Sequence, residues 1–360
     1  MKKIAEMHFA FWLLLATGLL WPGGFVATAI AQEDAGAGSQ SSGNPDEVLR
    51  HAYEISRTAQ SEDQLTQVIQ MCQQALDGEP GPKSEEYGNK LMAWTLNKRG
   101  ETRAASGQEQ VALEDFDRAV ELAPASWQYL HNRGVSRAML GQKEEALADF
   151  NRTIELQPTF AKAYFNRGEM LYDLGQLEEA IGDYTEVIRL NPRDAMAYTS
   201  RGHTYYRLQN TRAAFDDFAR AIRLDPSNAE AYTLRGDAYG DQGRFTQAAN
   251  DYRTAIRVDP NYGRAYHSAA WLMATCPDAR YRNAQLALDS ARKAIELDGR
   301  EDYRYLATLA AALANAGEYE QAARQQEEVV EMAPQEYAER HRQRLELYQR
   351  QEPYRDVLPE

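Results

Sequence analysis

Residues 161–194 read AKAYFNRGEMLYDLGQLEEAIGDYTEVIRLNPRD. Gly175 near the middle is a left-handed helix terminator, and Pro192 near the end stops a second helix, because the residue before a proline resists the α region. The stretch is therefore a helical hairpin. Pro192 is also one of five prolines at a fixed interval: Pro124, Pro158, Pro192, Pro226 and Pro260 stand 34 residues apart. A period of that length in a helix-rich chain means stacked hairpins and an all-α fold.

The five copies, numbered from Ala93, Trp127, Ala161, Ala195 and Ala229, agree at several positions. Position 8 is Gly100, Gly134, Gly168, Gly202 and Gly236; position 20 is Ala112, Ala146, Ala180, Ala214 and Ala248. Small residues there let the two helices approach closely. Position 24 is always aromatic (Phe116, Phe150, Tyr184, Phe218, Tyr252), and position 4 is Leu96, Leu130, Tyr164, Tyr198 and Tyr232. These large side chains fill the space beside the close contact. Position 15 is Gly107, Gly141, Gly175 and Gly243, while the fourth copy has Gln209-Asn210, of which Asn tolerates the left-handed conformation.

On these residues the chain resembles the tetratricopeptide repeat family. The resemblance implies a right-handed superhelix of antiparallel helix pairs, a solenoid in which each first helix lines a concave groove, and it implies a binding surface rather than a catalyst. Weaker copies extend the array. Pro80 and Ala75 mark one over about residues 49–82, followed by some ten connecting residues, Lys83 to Met92. Residues 46–92 thus read as a degenerate hairpin with a connector, 93–262 as five regular repeats, and 263–336 as two divergent ones. Residues 337–360 read as a cap helix and tail, with Tyr337, His341, Leu345 and Tyr348 on one stripe and Arg340, Arg342, Arg344 and Glu346 off it. A polar cap is what an open-ended stack needs. From about Asp46 to about Arg350 we expect one continuous domain.

The N-terminus is of another kind. Lys2 and Lys3 precede the apolar run Phe9–Trp21, and Ala29-Ile30-Ala31 is a small-x-small cleavage site. Residues 1–31 form a signal-peptide pattern, with cleavage expected after Ala31 and export to the periplasm or beyond. An uncleaved anchor is the alternative; the apolar run is short of the roughly 20 residues a bilayer needs. Residues 32–45 are a flexible Gly/Ser/Ala leader, and Asn44-Pro45-Asp46 starts the first helix. The net charge is −14; residues 1–31 hold two Lys and one Glu, so the exported chain is near −15. Such acidity argues against nucleic acid and anionic lipid partners, and no membrane insertion is expected once the signal is removed. Cys72 and Cys276 lie far apart in the stack and read as packing residues, with an intermolecular bridge as the alternative.

A polar pattern runs through the same five copies. Arg99, Arg133, Arg167, Arg201 and Arg235 hold position 7; Asp115, Asp149, Asp183, Asp217 and Asp251 hold position 23. The two positions are symmetric about the turn. The other hairpins hold Ile55 with Met71, Ala269 with Ser290 and Leu309 with Gln325, so the charges appear and vanish together. That favours an Arg–Asp ladder, inside hairpins or between neighbours, over an anion-binding stripe. Removing one partner, as in Asp183→Ala, should then be strongly destabilising.

The family resemblance places positions 2, 5, 9, 12 and 13 on the groove. The candidate contact residues are Lys162, Phe165, Glu169 and Tyr172, then His203, Tyr206 and Arg207, then Asp237 and Asp241, then Arg264 and Trp271. Phe165, Tyr172, Tyr206 and Arg207 are the strongest, as aromatic and Arg anchors. The Lys/Arg/Asn set of chaperone-tail clamps is missing: position 5 reads Asn97, His131, Phe165, Thr199, Thr233. The sixth hairpin replaces its turn glycine by Pro277 and adds about five residues, where Arg280, Tyr281 and Arg282 could grip a partner or pack on the chain itself. Outside the signal pattern the chain's histidines, His51, His131, His203, His267 and His341, fall in separate repeats without metal-ligand spacing, and no nucleophile elbow, phosphate loop or paired-cysteine motif occurs. We expect a non-enzymatic scaffold for a protein or peptide, without cofactor or metal; a structural subunit of an envelope assembly is the alternative.

Overall fold

The computed structural model describes residues 44–357. The signal pattern and most of the leader lie outside them. The described residues form seventeen α-helices and one short 3-10 turn. Their contacts divide into two compact units, one up to Leu174 and one from Gly175 onward. In a stack each repeat packs only on its neighbours, so no central core ties distant hairpins together.

The first unit holds α1 (Pro45–Ser56), α2 (Glu62–Asp77), α3 (Pro82–Ala105), α4 (Glu109–Leu122), α5 (Trp127–Met139), α6 (Lys143–Leu156) and α7 (Ala161–Asp173). Each helix packs against the next, and α3, α5 and α7 also meet in succession. Asn44 caps α1 through the Asp46 N–H, with Pro45 in the first turn, and a Ser61–Gln64 capping box opens α2. The ten residues read as a connector are helical: Lys83 to Met92 lengthen α3 to 24 residues. Tyr87, Leu91 and Met92 are buried there against Leu49, Val68, Cys72 and Ala75, so the extension gives the weak hairpin its core.

The second unit holds α8 (Leu177–Leu190), α9 (Ala195–Arg207), α10 (Thr211–Leu224), α11 (Ala229–Asp241), α12 (Phe245–Val258), α13 (Gly263–Thr275), α14 (Ala284–Asp298), α15 (Tyr303–Asn315), α16 (Tyr319–Met332) and α17 (Gln335–Gln349). The first helices α9, α11, α13 and α15 pack in series, each with its second helix alongside.

The packing explains the repeated residues. The alanines at position 20 and the rings of Phe150 and Phe218 are completely buried. A Cβ on Gly134 would stand 2.9 Å from Cε1 of Phe150, and one on Gly236 would stand 2.6 Å from Cε1 of Tyr252. The glycine is therefore the slot for the ring, and each such ring contributes about 2–3 kcal/mol through burial.

The fourth copy departs from the expected turn. Gln209, not Asn210, is left-handed, with φ of +60°. Asn210 instead caps α10 through the Ala213 N–H. A non-glycine residue in that conformation costs about 1–2 kcal/mol. Gln209→Gly is therefore expected to stabilise the second unit by about 1 kcal/mol, read as a raised urea midpoint; a lowered midpoint would contradict it.

Candidate interaction surface

The Arg and Asp rows meet inside hairpins. In the first unit, Arg99 grips Asp115 through Nε (2.9 Å) and Nη2 (2.6 Å), and Arg133 grips Asp149 at the same two distances. The remaining Nη1 donates backward to the preceding repeat: Arg99 to Thr66, Arg133 to Asp117, Arg167 to Asn151. The ladder thus ties hairpins internally and to their neighbours. A second arginine, unforeseen from the sequence, joins it: Arg103 donates to Asp115 and Arg137 to Asp149. In the second unit, Arg201 grips Asp217 and Arg235 grips Asp251. There the second arginine's place is taken by Tyr205 or Tyr239, so Arg201 lies over Tyr198 and Tyr205, and Arg235 over Tyr232 and Tyr239. Asp115, Asp149, Asp217 and Asp251 are all buried. The rows are consumed by packing and leave no anion-binding stripe in these four hairpins.

The groove-facing set needs correction at position 5. Asn97, His131, Phe165, Thr199 and Thr233 are all buried, Phe165 to 4 % exposure. The reason lies at position 34, the residue that precedes the next first helix. Phe160 covers the His131 ring at 4.8 Å, and the Asn228 side chain donates to Thr199. Phe165 is therefore a packing residue and not an anchor. Lys162, Glu169 and Tyr172, in the first unit, are partly exposed.

In the second unit, Arg207 and Asp241 are exposed, and His203, Tyr206, Asp237, Arg264 and Trp271 are partly so. They stand at first-helix positions of α9, α11 and α13, and several of them pair. The Tyr206 hydroxyl donates to Asp241 and the Tyr252 hydroxyl to Asp237, while Arg264 pairs with Asp237 at 3.4 Å. Desolvation holds the Asp237 carboxyl above the usual range, against the pull of Arg264. Desolvation, helped by Asp241, pushes the Tyr206 phenol up. His267 beside them stacks on Tyr305 at 4.6 Å and shares a hydrogen bond with Thr308.

Trp271 is covered by the chain itself. After α17 the chain turns back without regular secondary structure, and Tyr354, Arg355 and Asp356 settle on α13 and α15. Asp356 accepts from Trp271 Nε1 (2.7 Å) and Thr275 Oγ1 (2.6 Å), and its N–H donates to the Thr275 carbonyl. Arg355 donates to the Ala274 carbonyl and to Asn315 Oδ1. The Arg344 guanidinium lies 4.7 Å from the Trp271 ring and 4.4 Å from that of Tyr354. The cap helix therefore differs from its expected stripe: Arg344 is buried with Ala338, His341 and Tyr348, while Tyr337 is 44 % exposed.

The loop of the sixth hairpin also turns inward. Arg282 donates to the carbonyls of Cys276 and Pro277, and Tyr281 meets Thr246 and Phe245. Arg280 alone of the three is solvent-facing, held by Asp278. Cys72 and Cys276 are free and buried, and burial pushes the Cys72 thiol up to about 12. Among the described residues no cluster of His, Cys, Asp or Glu could hold a metal ion, and no helix is long and apolar enough to cross a membrane.

Comparison with known proteins places this geometry. No curated protein matches the chain. Its arrangement is similar to a tetratricopeptide repeat protein from Parabacteroides merdae (20 % identity, 71 % of this chain and 98 % of that one, TM-score 0.57). It is also similar to yeast Tom70 (18 %, 97 % and 71 %, TM-score 0.53) and to the Cut9–Hcn1 hetero-tetramer of the APC/C (16 %, 83 % and 55 %, TM-score 0.58). Models described as tetratricopeptide repeat match residues 97–159, 150–182, 199–239 and 229–262, and one described as TPR repeat matches 168–209. Residues 97–262 are thus an array of tetratricopeptide repeats.

Proposed function

We propose that this protein is a non-enzymatic scaffold that holds a peptide or protein segment on its first-helix face. The observation that carries the reading is the strip on α9, α11 and α13. Arg207 and Asp241 are exposed there beside partly exposed Tyr206, Asp237 and Arg264, on helices whose other polar rows are consumed by the ladder. Charged and aromatic groups gathered on one face suit a polar segment of mixed charge. Crosslinked pull-down with the intact chain tests it. Arg207→Glu combined with Asp241→Lys is expected to lose a partner that the unsubstituted chain retains. Retention by the variant would favour the second reading, a structural subunit engaged through convex or terminal surfaces. Export, with cleavage after Ala31, is part of the proposal and rests on residues 1–31. Sequencing of the mature N-terminus should begin at Gln32; a chain that keeps Met1 would remove it.

A further inference from the structure

The seat filled by Tyr354, Arg355 and Asp356 lies on the positions that form the strip in the regular copies. Trp271 and Thr275 are positions 9 and 13 of α13, and Asn315 is position 13 of α15. In α9 and α11 those same positions are His203 with Arg207, and Asp237 with Asp241. The fold thus displays, on α13 and α15, how this face holds a non-helical segment.

The contacts are specific to side chains. Three consecutive residues each find a partner: the Tyr354 ring on Arg344, the Arg355 guanidinium on Asn315 and a carbonyl, the Asp356 carboxylate on Trp271 and Thr275. A single backbone hydrogen bond, Asp356 to Thr275, accompanies them. Arg344 is a second pointer. It is 5 % exposed, its Nε has no hydrogen-bond partner, and its cation lies against the Trp271 and Tyr354 rings. A buried guanidinium held by rings is stabilised by the aromatic group that comes to it.

We propose that Trp271, Thr275, Asn315 and Arg344 form a binding site for a non-helical segment of another protein with the order aromatic–arginine–aspartate, and that the chain's own residues 354–356 occupy it as a tethered competitor. The proposal rests on the scaffold reading and names the chemistry of its ligand at this end. A tether of four residues, Arg350 to Pro353, between α17 and the seated segment gives it an effective concentration on the order of millimolar. A segment in trans must overcome that competition, so the site is weak until the tail is displaced.

The test uses a fluorescein-labelled peptide of the sequence Gln351–Val357, titrated by anisotropy. The probe reads the α13–α15 seat and not Arg207 or Asp241, so its failure leaves the strip experiment standing. A chain ending at Arg350 is expected to bind the peptide at least tenfold more tightly than the full chain. Trp271→Ala in the shortened chain is expected to abolish binding, as is placing Lys at the Asp356 position of the peptide. A shortened chain with unchanged helical circular dichroism that fails to bind overturns the proposal. Should the shortened chain unfold, the full chain carrying Tyr354→Ala and Asp356→Ala gives the answer. It is expected to bind the peptide at least tenfold more tightly than the unsubstituted chain, and failure to do so overturns the proposal equally.

Discussion

Asp149→Ala is expected to destabilise the first unit by about 3–5 kcal/mol, the cost of removing one partner from a buried ionic group. Asp149 is 4 % exposed and accepts three hydrogen bonds, two from Arg133 and one from Arg137. Its loss would leave two arginines, 17 % and 19 % exposed, sharing Asp117 alone. Desolvation already opposes the charge on Arg133, and Asp149 is what offsets it. Asp217→Ala should cost less, because Asp217 anchors one arginine and that arginine keeps its tyrosine flank. Urea unfolding of the two variants reads the difference. A loss below about 1 kcal/mol for Asp149→Ala would mean that the pairs behave as exposed ion bridges, and the ladder would then be ornament on the packing.

How far the sequence carried the reading follows from which interactions repeat. The glycine–ring contact recurs every 34 residues because each hairpin makes it within itself, so alignment of the copies exposes it. The pairing of positions 7 and 23 was legible for the same reason. Position 11 carried a signal that pairing alone could not decode: Arg103 and Arg137 follow Leu96 and Leu130, whereas Tyr205 and Tyr239 follow Tyr198 and Tyr232. In those four copies a second cation or a second ring completes the ladder; the third copy, with Tyr164 and Leu171, has neither at position 11. Position 5 was misplaced because its cover, position 34, lies 29 residues further on, past the second helix, and varies from Phe160 to Asn228. The turn at Gln209 was misread by one residue because both neighbours tolerate polar turns and only backbone geometry separates them. The seat of Asp356 had no periodic signature at all: its contacts span 81 and 85 residues and occur once.

Stability is expected to fall steeply as the pH drops below about 6.5, through three histidines kept neutral by the fold. Desolvation pushes His131 down to about 3, with Lys162 adding to the effect; it pushes His267 down to about 3, with Arg304 and Arg264, and His341 down to about 4, with Arg344 and Arg340. The geometry agrees. His131 lies between the Phe150 and Phe160 rings with no hydrogen-bond partner for Nδ1, and the Gln326 amide donates to Nδ1 of His341, which must then be unprotonated. In the unfolded chain each imidazole titrates near 6.5. Above that pH neither state binds the proton and the full stability is present. Below it the unfolded state takes up a proton that the folded state refuses, so each histidine removes about 1.4 kcal/mol per pH unit until its folded value is reached. Buried carboxyls work the other way. Asp237, Asp298 and Glu109 are held above their ordinary values, so their protonation favours the fold, but only once the pH nears the carboxylate range. The interval from about 6.5 to 5 therefore belongs to the histidines. His131 is the one of the three in the first unit, which makes His131→Phe diagnostic. Urea midpoints across that interval should lose their pH dependence for the first unit in the variant and keep it for the second. A wild-type midpoint that stays flat from pH 6.5 to 5 would show that these imidazoles take up protons without unfolding, and their burial would have to be abandoned.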